Sequence, residues 1–557
     1  MTTSKPNIKP TGLRYWMLRV LDECENVSPD FSADPVHDLR VALRRCRSLA
    51  DGMIAMDPDP SWKAMKKAGK QLFQRLGDLR DVQIMMEWIE KLEGEVMGRG
   101  EEHSSEPKSE ADGLGIKAED APAVSSEGHD PAAQALMHVL KARESDHKNE
   151  ARRALEEFDR KQWRQWSRSL PHRAARIRVG SAVFKHLALE RWTTARELHV
   201  RAMRNRSQVA LHTLRIGIKR FRYIVENFLP IEHKAWSSDL KHMQDLLGEV
   251  HDLDVLWATA NSCHVFPGED SRKAWHTKIL EERTRRIDEY RGRTTGAESL
   301  WNIWRAGLPQ GKEIQQIASR RMMLWAKALD PDFAHSQRVA RLSLQLYDGL
   351  MTAGLLGTTS NPSSGNGNSP DLRSSLNAAA LLHDVGKAKG NKGHHKESLE
   401  LIKKHGTPLG WNEEDLRRAA LVARFHAGAL PSRGHKLLRD LLPHEQRNVI
   451  RLSAMLRLAN ALDSSHDGHI RRLKIENAAA QTPHSKQRAN GFLRKAPTLG
   501  KNEAVVIAAE GYTSGTSTAQ AIAAERHLLE TVLRRPVIVR AALATRRPAS
   551  GNTQLSS

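Results

Sequence analysis

From the N-terminus to about residue 345, apolar residues recur every three to four positions, the period of helices that bury one side. The same period runs through about 310–465. Three stretches break it. Residues 99–130 hold nine acids against three bases among Gly, Pro and Ser; they cannot bury a core, and a disordered loop is predicted. Residues 357–370, GTTSNPSSGNGNSP, predict a flexible surface insertion. Residues 546–557 predict a disordered tail. Near the C-terminus, EAVVIAAEG and PVIVRAAL predict strands, and STAQAIAAERHLLETVLRR between them has a helical period. The expected fold class is mainly α. A duplicated helical bundle spans 10–305, and a helical domain with a small α/β appendix spans 310–545.

The duplication is read from one helix. HDLRVALRRCR begins at His37, and HTLRIGIKRFR begins at His212. At about 100° per residue, His37, Arg40, Arg44 and Arg47 fall within an arc of about 80°. Leu39, Leu43 and Cys46 form the neighbouring apolar arc. In the second copy the same places go to His212, Arg215, Lys219 and Arg222, with Leu214, Ile218 and Phe221 as the apolar side. About thirty residues after each copy come LGDLRDVQIM, from Leu76, and LGEVHDLDVL, from Leu247. Each is expected to precede a new helix, so the repeat is a helical hairpin or bundle unit.

Charge sharpens this picture. The chain has 557 residues, 87 Lys and Arg against 66 Asp and Glu, and a net charge of +21. Such a balance favours a polyanionic partner. Solvated helix faces usually mix signs, whereas these stripes carry almost none of the opposite sign beyond Asp38. Two such ridges repel unless an anion lies between them, which predicts one shared positive groove. The stripes carry no aromatics, the usual platforms for single-stranded bases. That favours inorganic polyphosphate, with duplex nucleic acid as an alternative. Lys66 and Lys70 precede the first LG segment and join the expected groove. The three cysteines, Cys24, Cys46 and Cys263, form no C-x-x-C pair. No apolar run approaches the roughly 18 residues of a membrane span, and the first residues lack a secretory apolar core. A cytoplasmic location without membrane contact is expected.

The doubled H-x-x-R-x-x-x-R-R-x-R pattern, each followed by L-G-x-x-x-D, resembles the CHAD family, the conserved histidine α-helical domain. The resemblance covers about residues 10–300. It implies two antiparallel helical bundles around a basic groove that binds polyphosphate. On the matching positions it implies contacts from His37, Arg40, Arg44, Arg45 and Arg47, and from His212, Arg215, Lys219, Arg220 and Arg222.

The second half carries a different series: HSQRVARLSLQLYDGL from His335, LLHDVGKAKGNKGHHKES from Leu381, LVARFHAG from Leu421 and LRLANALDSSHD from Leu456. Each His or Asp stands at the polar edge of an amphipathic helix, so several helices can aim imidazoles and carboxylates at one point. Divalent metals accept such nitrogen and oxygen donors. His335, His383, Asp384 and Asp463 would make one site. His394 and His426 would add a second, with Asp384 bridging. Two adjacent metals suit phosphoester or phosphoanhydride hydrolysis.

This series resembles the HD phosphohydrolase superfamily, and within it the C-terminal HD-type region of the exopolyphosphatase and guanosine-pentaphosphatase family. The resemblance implies a metal set of His335, His383, Asp384, His394, His426 and Asp463, with His395 interchangeable with His394. It implies one or two ions of Mg2+, Mn2+, Co2+ or Fe. Asp384 and Lys387 are the candidate catalytic residues, Lys387 as a phosphate contact, with Arg338 and Arg424 behind it. That family carries its chemistry on an actin-like domain for which the CHAD-like part stands here, so its catalytic residues do not transfer. The expected function is a polyphosphate binder with a metal-dependent phosphohydrolase domain. The alternatives are a non-catalytic polyphosphate sensor, with or without a nucleotide ligand, and a nucleic-acid binder.

Overall fold

The computed structural model describes residues 12–101, 130–356, 372–476 and 504–542. The predicted insertion at 357–370 and tail at 546–557 lie outside them, as does nearly all of the predicted loop at 99–130. The chain divides into two compact units, Met1–Gly311 and Lys312–Ser557.

The first unit is helical throughout its described length. Its order is α1 (Leu13–Asn26), α2 (Ala33–Ile54), α3 (Pro60–Ala68), α4 (Lys70–Glu101), α5 (Pro131–Glu156) and α6 (Arg160–Ala174). Then follow α7 (Ala182–Arg204), α8 (Gln208–Phe228), α9 (Pro230–Ser262), α10 (Glu269–Thr294) and α11 (Leu300–Ala306). The halves repeat one plan. α1 packs on α2 as α7 packs on α8, and α4 returns through α5 as α9 returns through α10. The predicted apolar arcs are the buried ones: Leu39, Leu43 and Cys46 on α2, and Leu214, Ile218 and Phe221 on α8, are fully shielded. Val82, Ile89, Leu136, Leu140, Leu253, Leu256 and Trp275 form one cluster between the two hairpins.

Both LG segments lie inside continuous helices, not ahead of new ones: Leu76 is within α4 and Leu247 within α9. A mid-helix glycine costs about 1 kcal/mol against alanine, and here it makes room. A Cβ on Gly77 would lie 2.6 Å from Arg40 Nη1. The glycine therefore leaves the space in which a half-buried guanidinium lies along α4.

The second unit runs α12 (Lys312–Leu329), α13 (Phe333–Thr352), α14 (Leu372–Leu382), a 3-10 turn (Val385–Lys389), α15 (His394–His405), α16 (Glu413–Arg424) and α17 (Pro443–Leu462). β1 (Arg472–Glu476), β2 (Val505–Glu510), α18 (Ser517–Leu533) and β3 (Val537–Ala541) complete it. β2 pairs parallel with β3 across α18, the predicted strand–helix–strand. β1, which the sequence pattern did not mark, adds antiparallel to the free side of β2. Its RLKIE stretch is short, charged and half exposed, the character of an edge strand. α17 is apolar most of the way round, because α13, α14, α16 and α18 all pack on it. Its one deeply buried arginine, Arg457, is gripped by Glu525 of α18 at 3.1 Å and donates to the Phe425 carbonyl at 3.0 Å.

Candidate functional site

In the first unit α2 packs against α8, and the two cationic stripes meet. Lys219 of α8 lies within electrostatic reach of Arg40 and Arg44 of α2 as well as Arg215 of its own helix. Burial, then these three cations, pushes its ammonium down to about 7. Burial also pushes Arg40 down to about 10, with Arg44 and Arg80 adding to it. His37 and His212 are both lowered by burial and by neighbouring cations. His251 of α9, whose Nδ1 is 3.2 Å from Nδ1 of His212, is pushed down to about 4 by burial and then by Arg215. A stack of cations that resists its own charge is the electrostatic form of an anion site.

The stripes are less bare than their sequence suggests. Glu226 of α8 accepts an ion pair from Arg45 of α2 and lies 4.0 Å from Arg222. Two further acids, Asp81 of α4 and Asp252 of α9, stand within reach of Arg215 and Lys219. Aromatics reach the stripes from other positions. Phe73 lies under Arg40 and Arg47, at 5.0 and 4.5 Å, and Tyr223 lies 6.0 Å from Arg44. The Arg40 guanidinium also donates to the Phe73 carbonyl at 3.2 Å. Lys66 is ion-paired with Asp51, while Arg220 and Lys70 are exposed. The repeated aspartate four residues after each LG glycine was the sequence signal for Asp81 and Asp252; Tyr223 had none.

In the second unit the histidines and Asp384 stand at helix ends. His335 opens α13, where Asp332 caps its backbone N–H at 3.1 Å. His383 closes α14, His394 opens α15 and His426 follows α16. A helix leaves its last carbonyls unpaired, and two of them orient these rings. The Nδ1–H of His383 donates to Ala380 O at 2.7 Å, and that of His426 donates to Ala423 O at 2.7 Å. His394 does the same to Asn391 O at 2.8 Å. In each neutral ring the Nε2 lone pair then faces inward, toward Asp384.

The consequence is a crowd of acceptors. Nε2 of His394 and Nε2 of His426 are 3.0 Å apart, and they lie 3.3 and 3.6 Å from Asp384 Oδ1. On the other carboxylate oxygen, Oδ2 is 3.2 Å from His383 Nε2 and 4.0 Å from His335 Nε2. His383 Nε2 and Asp384 Oδ1 are buried without a hydrogen-bond partner among the described residues. Lone pairs held this close repel unless a cation joins them. The donor set of imidazoles and one carboxylate therefore fits a divalent metal. Among the described residues two groups satisfy the geometry, His335–His383–Asp384 and Asp384–His394–His426. Burial first of all drives His426 far below its ordinary value, which keeps the ring neutral. Burial would raise the Asp384 carboxyl; the protonated form of these rings, His383 first, would hold it well below the carboxylate range instead.

Asp463 stands outside both groups. Its carboxylate accepts from His335 Nδ1 at 2.7 Å and from Arg338 Nε at 2.9 Å, so it holds His335 from behind. His466, stacked on His335 at 3.9 Å, is a neighbour that the sequence did not mark. Of the two adjacent histidines, His394 is the one at Asp384. His395 packs toward Gly428, whose added Cβ would lie 3.0 Å from its Nε2. Lys387 reaches Asp384 Oδ2 at 2.5 Å. Arg424 is buried, with Nη1 unpartnered among the described residues.

Comparison with known families matches a CHAD domain at residues 18–261 and a Ppx/GppA phosphatase, domain III, at residues 319–502. The chain joins these two domains. No curated protein matches the chain. The CHAD domain accounts for the converging stripes, and domain III carries the histidine–aspartate centre. Together they support a polyphosphate-related binder or phosphatase. Among the described residues, no helix is long and apolar enough to cross a membrane.

Proposed function

We propose that the CHAD domain binds inorganic polyphosphate between α2 and α8, and that domain III is a metal-dependent phosphohydrolase acting on polyphosphate or a related phosphate compound. The observation that carries the catalytic half is the meeting of the Nε2 atoms of His394 and His426 with Asp384 Oδ1, three acceptors within 3.6 Å. His335, His383, Asp384, His394 and His426 would hold one or two ions. Activation of a water and polarisation of a phosphoryl oxygen are the chemistry such ions supply. The chain's own residues do the rest. The helix-end carbonyls fix the imidazole tautomers, Asp463 and Arg338 hold His335, and Lys387, beside Asp384, would contact a phosphoryl oxygen.

Elemental analysis of the purified protein should find a divalent metal. Phosphate release from polyphosphate should follow with Mg2+, Mn2+ or Co2+. Asp384→Ala should lose the metal and at least about 100-fold of the activity, as expected when a bridging ligand goes. Full metal occupancy without phosphate release would leave the binding half alone standing.

A second reading, a non-catalytic polyphosphate-binding protein, is favoured by one contact. The Lys387 ammonium at 2.5 Å already neutralises Asp384 Oδ2, as a fixed cation would in a scaffold. On that reading Lys387→Met destabilises the domain without a gain in metal affinity. On the catalytic reading the same variant binds metal more tightly and hydrolyses more slowly.

A further inference from the structure

A second cationic surface of the CHAD domain lies outside the α2–α8 groove. Residues 60–77 hold five Lys or Arg and no acid, and residues 160–189 hold eight and no acid. The two stretches fold into neighbouring elements, α3 with the start of α4, and α6 with the link to α7. α3 and α6 run antiparallel against each other. Arg173, at the end of α6, bonds to Asp57 just ahead of α3 at 2.6 Å. Trp163, near the start of α6, lies 3.6 Å from where a Cβ on Gly69, just past α3, would stand. Trp62, Trp163 and Leu170 turn inward and are fully shielded. Lys63 and Lys67 on α3, Arg164 and Arg168 on α6, and Arg176 and Arg178 after it are exposed, and none makes an ion pair or side-chain hydrogen bond among the described residues. Four carboxylates at the margin are already taken. Arg173 holds Asp57 and Asp59, Lys66 holds Asp51, and Asp159 caps α6 through the Gln162 N–H at 2.8 Å. Solvated helix faces usually set opposite charges at i, i+4, whereas here both such pairs are cation beside cation, which repel.

Resting on the reading of the groove as a polyphosphate site, we propose that the α3–α6 face is a second phosphate track, which binds the length of a long polyphosphate chain that the groove leaves outside. The face continues from the groove. Lys66 of α3 pairs with Asp51 of α2, one helical turn beyond Arg47 of the groove stripe. Gly180, which ends the link carrying Arg176 and Arg178, donates its N–H at 2.7 Å to the Phe228 carbonyl at the end of α8. Both helices of the groove thus lead, at their C-terminal ends, into the basic segments. The face reads charge alone, because Trp62 and Trp163 are shielded and offer no platform for bases. A nucleic-acid duplex would meet exposed cations through its phosphates, but it is too thick to enter between two packed helices and so cannot join face and groove. A single phosphate chain joins both. Once one stretch is held in the groove, the next meets the face at a high effective concentration, and the two contacts reinforce each other. The result is a preference for long chains that neither site supplies alone.

The test is calorimetric titration of the full chain, without divalent ions, with tripolyphosphate and with long-chain polyphosphate. Lys63→Gln, Lys67→Gln, Arg164→Gln and Arg168→Gln are combined in one variant. It should bind the long chain more weakly than the wild type by about tenfold or more, and bind tripolyphosphate as the wild type does. Long-chain binding equal to that of the wild type overturns the inference. An equal loss for both ligands also overturns it, because that would be a general effect of the protein's charge. So does loss of duplex DNA binding while long-chain binding stands, which would make the face a nucleic-acid surface. Should the fourfold variant not fold, as judged by its circular dichroism melt, the pair Arg164→Gln and Arg168→Gln is read in the same way. Failure of the wild type to bind either polyphosphate defeats the groove reading itself, whereas intact tripolyphosphate binding with an unaltered long-chain affinity in the variant defeats this inference alone.

Discussion

At the scale of single residues, the deciding feature of domain III is which nitrogen of each histidine points inward. A free imidazole can present either nitrogen. Here Ala380, Ala423 and Asn391 each take the Nδ1–H through a backbone carbonyl and leave Nε2 for the centre. Of the two neighbours His394 is the one that meets Asp384, a choice that residue identity alone left open. The two ligand groups are separable. His426→Ala should remove the ion held by Asp384, His394 and His426 while the His335–His383 side keeps its own, and His335→Ala should do the reverse. Metal stoichiometry by elemental analysis reads both. Loss of all metal from either variant would mean the two groups act as one. The donor types and their helix-end positions were legible in the sequence. The pairing of Asp463 with His335 and Arg338 was not, because Arg338 reaches that carboxylate only once α13 and α17 are packed together.

At the scale of elements, turns and glycines place these side chains. The HDVGK stretch bends into the 3-10 turn after α14. The Gly386 N–H donates to Ser398 Oγ at 2.9 Å, and Ser398 Oγ donates in turn to His383 O at 2.7 Å. A Cβ on Gly386 would fall 2.0 Å from His394 O, so the turn can press on the start of α15 only as glycine. Gly386→Ala should therefore destabilise the domain by about 1–3 kcal/mol, as overpacking does, and lower occupancy on the His394 side first. Denaturant midpoint and metal content measure the two effects. In the CHAD domain, Arg173 of α6 clamps Asp57 through bonds of 2.6 and 2.7 Å, and Trp62 Nε1 donates to the same carboxylate at 3.0 Å. Burial opposes ionisation of Asp57, but these donors hold its carboxyl below the usual range. Its share of stability is thus present above the unfolded carboxyl's titration and is lost as pH falls through the lowered folded value. Asp57→Ala should cost about 3 kcal/mol in urea unfolding at pH 7, and the difference from wild type should shrink toward acid.

At the scale of the whole molecule, two units carry the two matched domains. Fragments 1–311 and 312–557 should each fold, the first retaining polyphosphate binding and the second retaining metal. Chromatography and calorimetry on the separate pieces would check this. Binding to the first should weaken with salt at a slope of about −3 in log–log form if the four central cations are the ones neutralised. A slope near zero would place the contact elsewhere. The sequence by itself determined the helices, the duplication, the pairing of cation and apolar arcs, and the His and Asp types at helix ends, because those depend on periodicity and on chemistry local to a few turns. Only the tertiary structure decided that the two stripes face each other, that Asp81 and Asp252 come within electrostatic reach of Arg215 and Lys219, that β1 closes the small sheet, and that the lone pairs of three histidines crowd one carboxylate. Those facts arise where segments far apart in sequence approach, and charges there act through space, which no reading along the chain can measure.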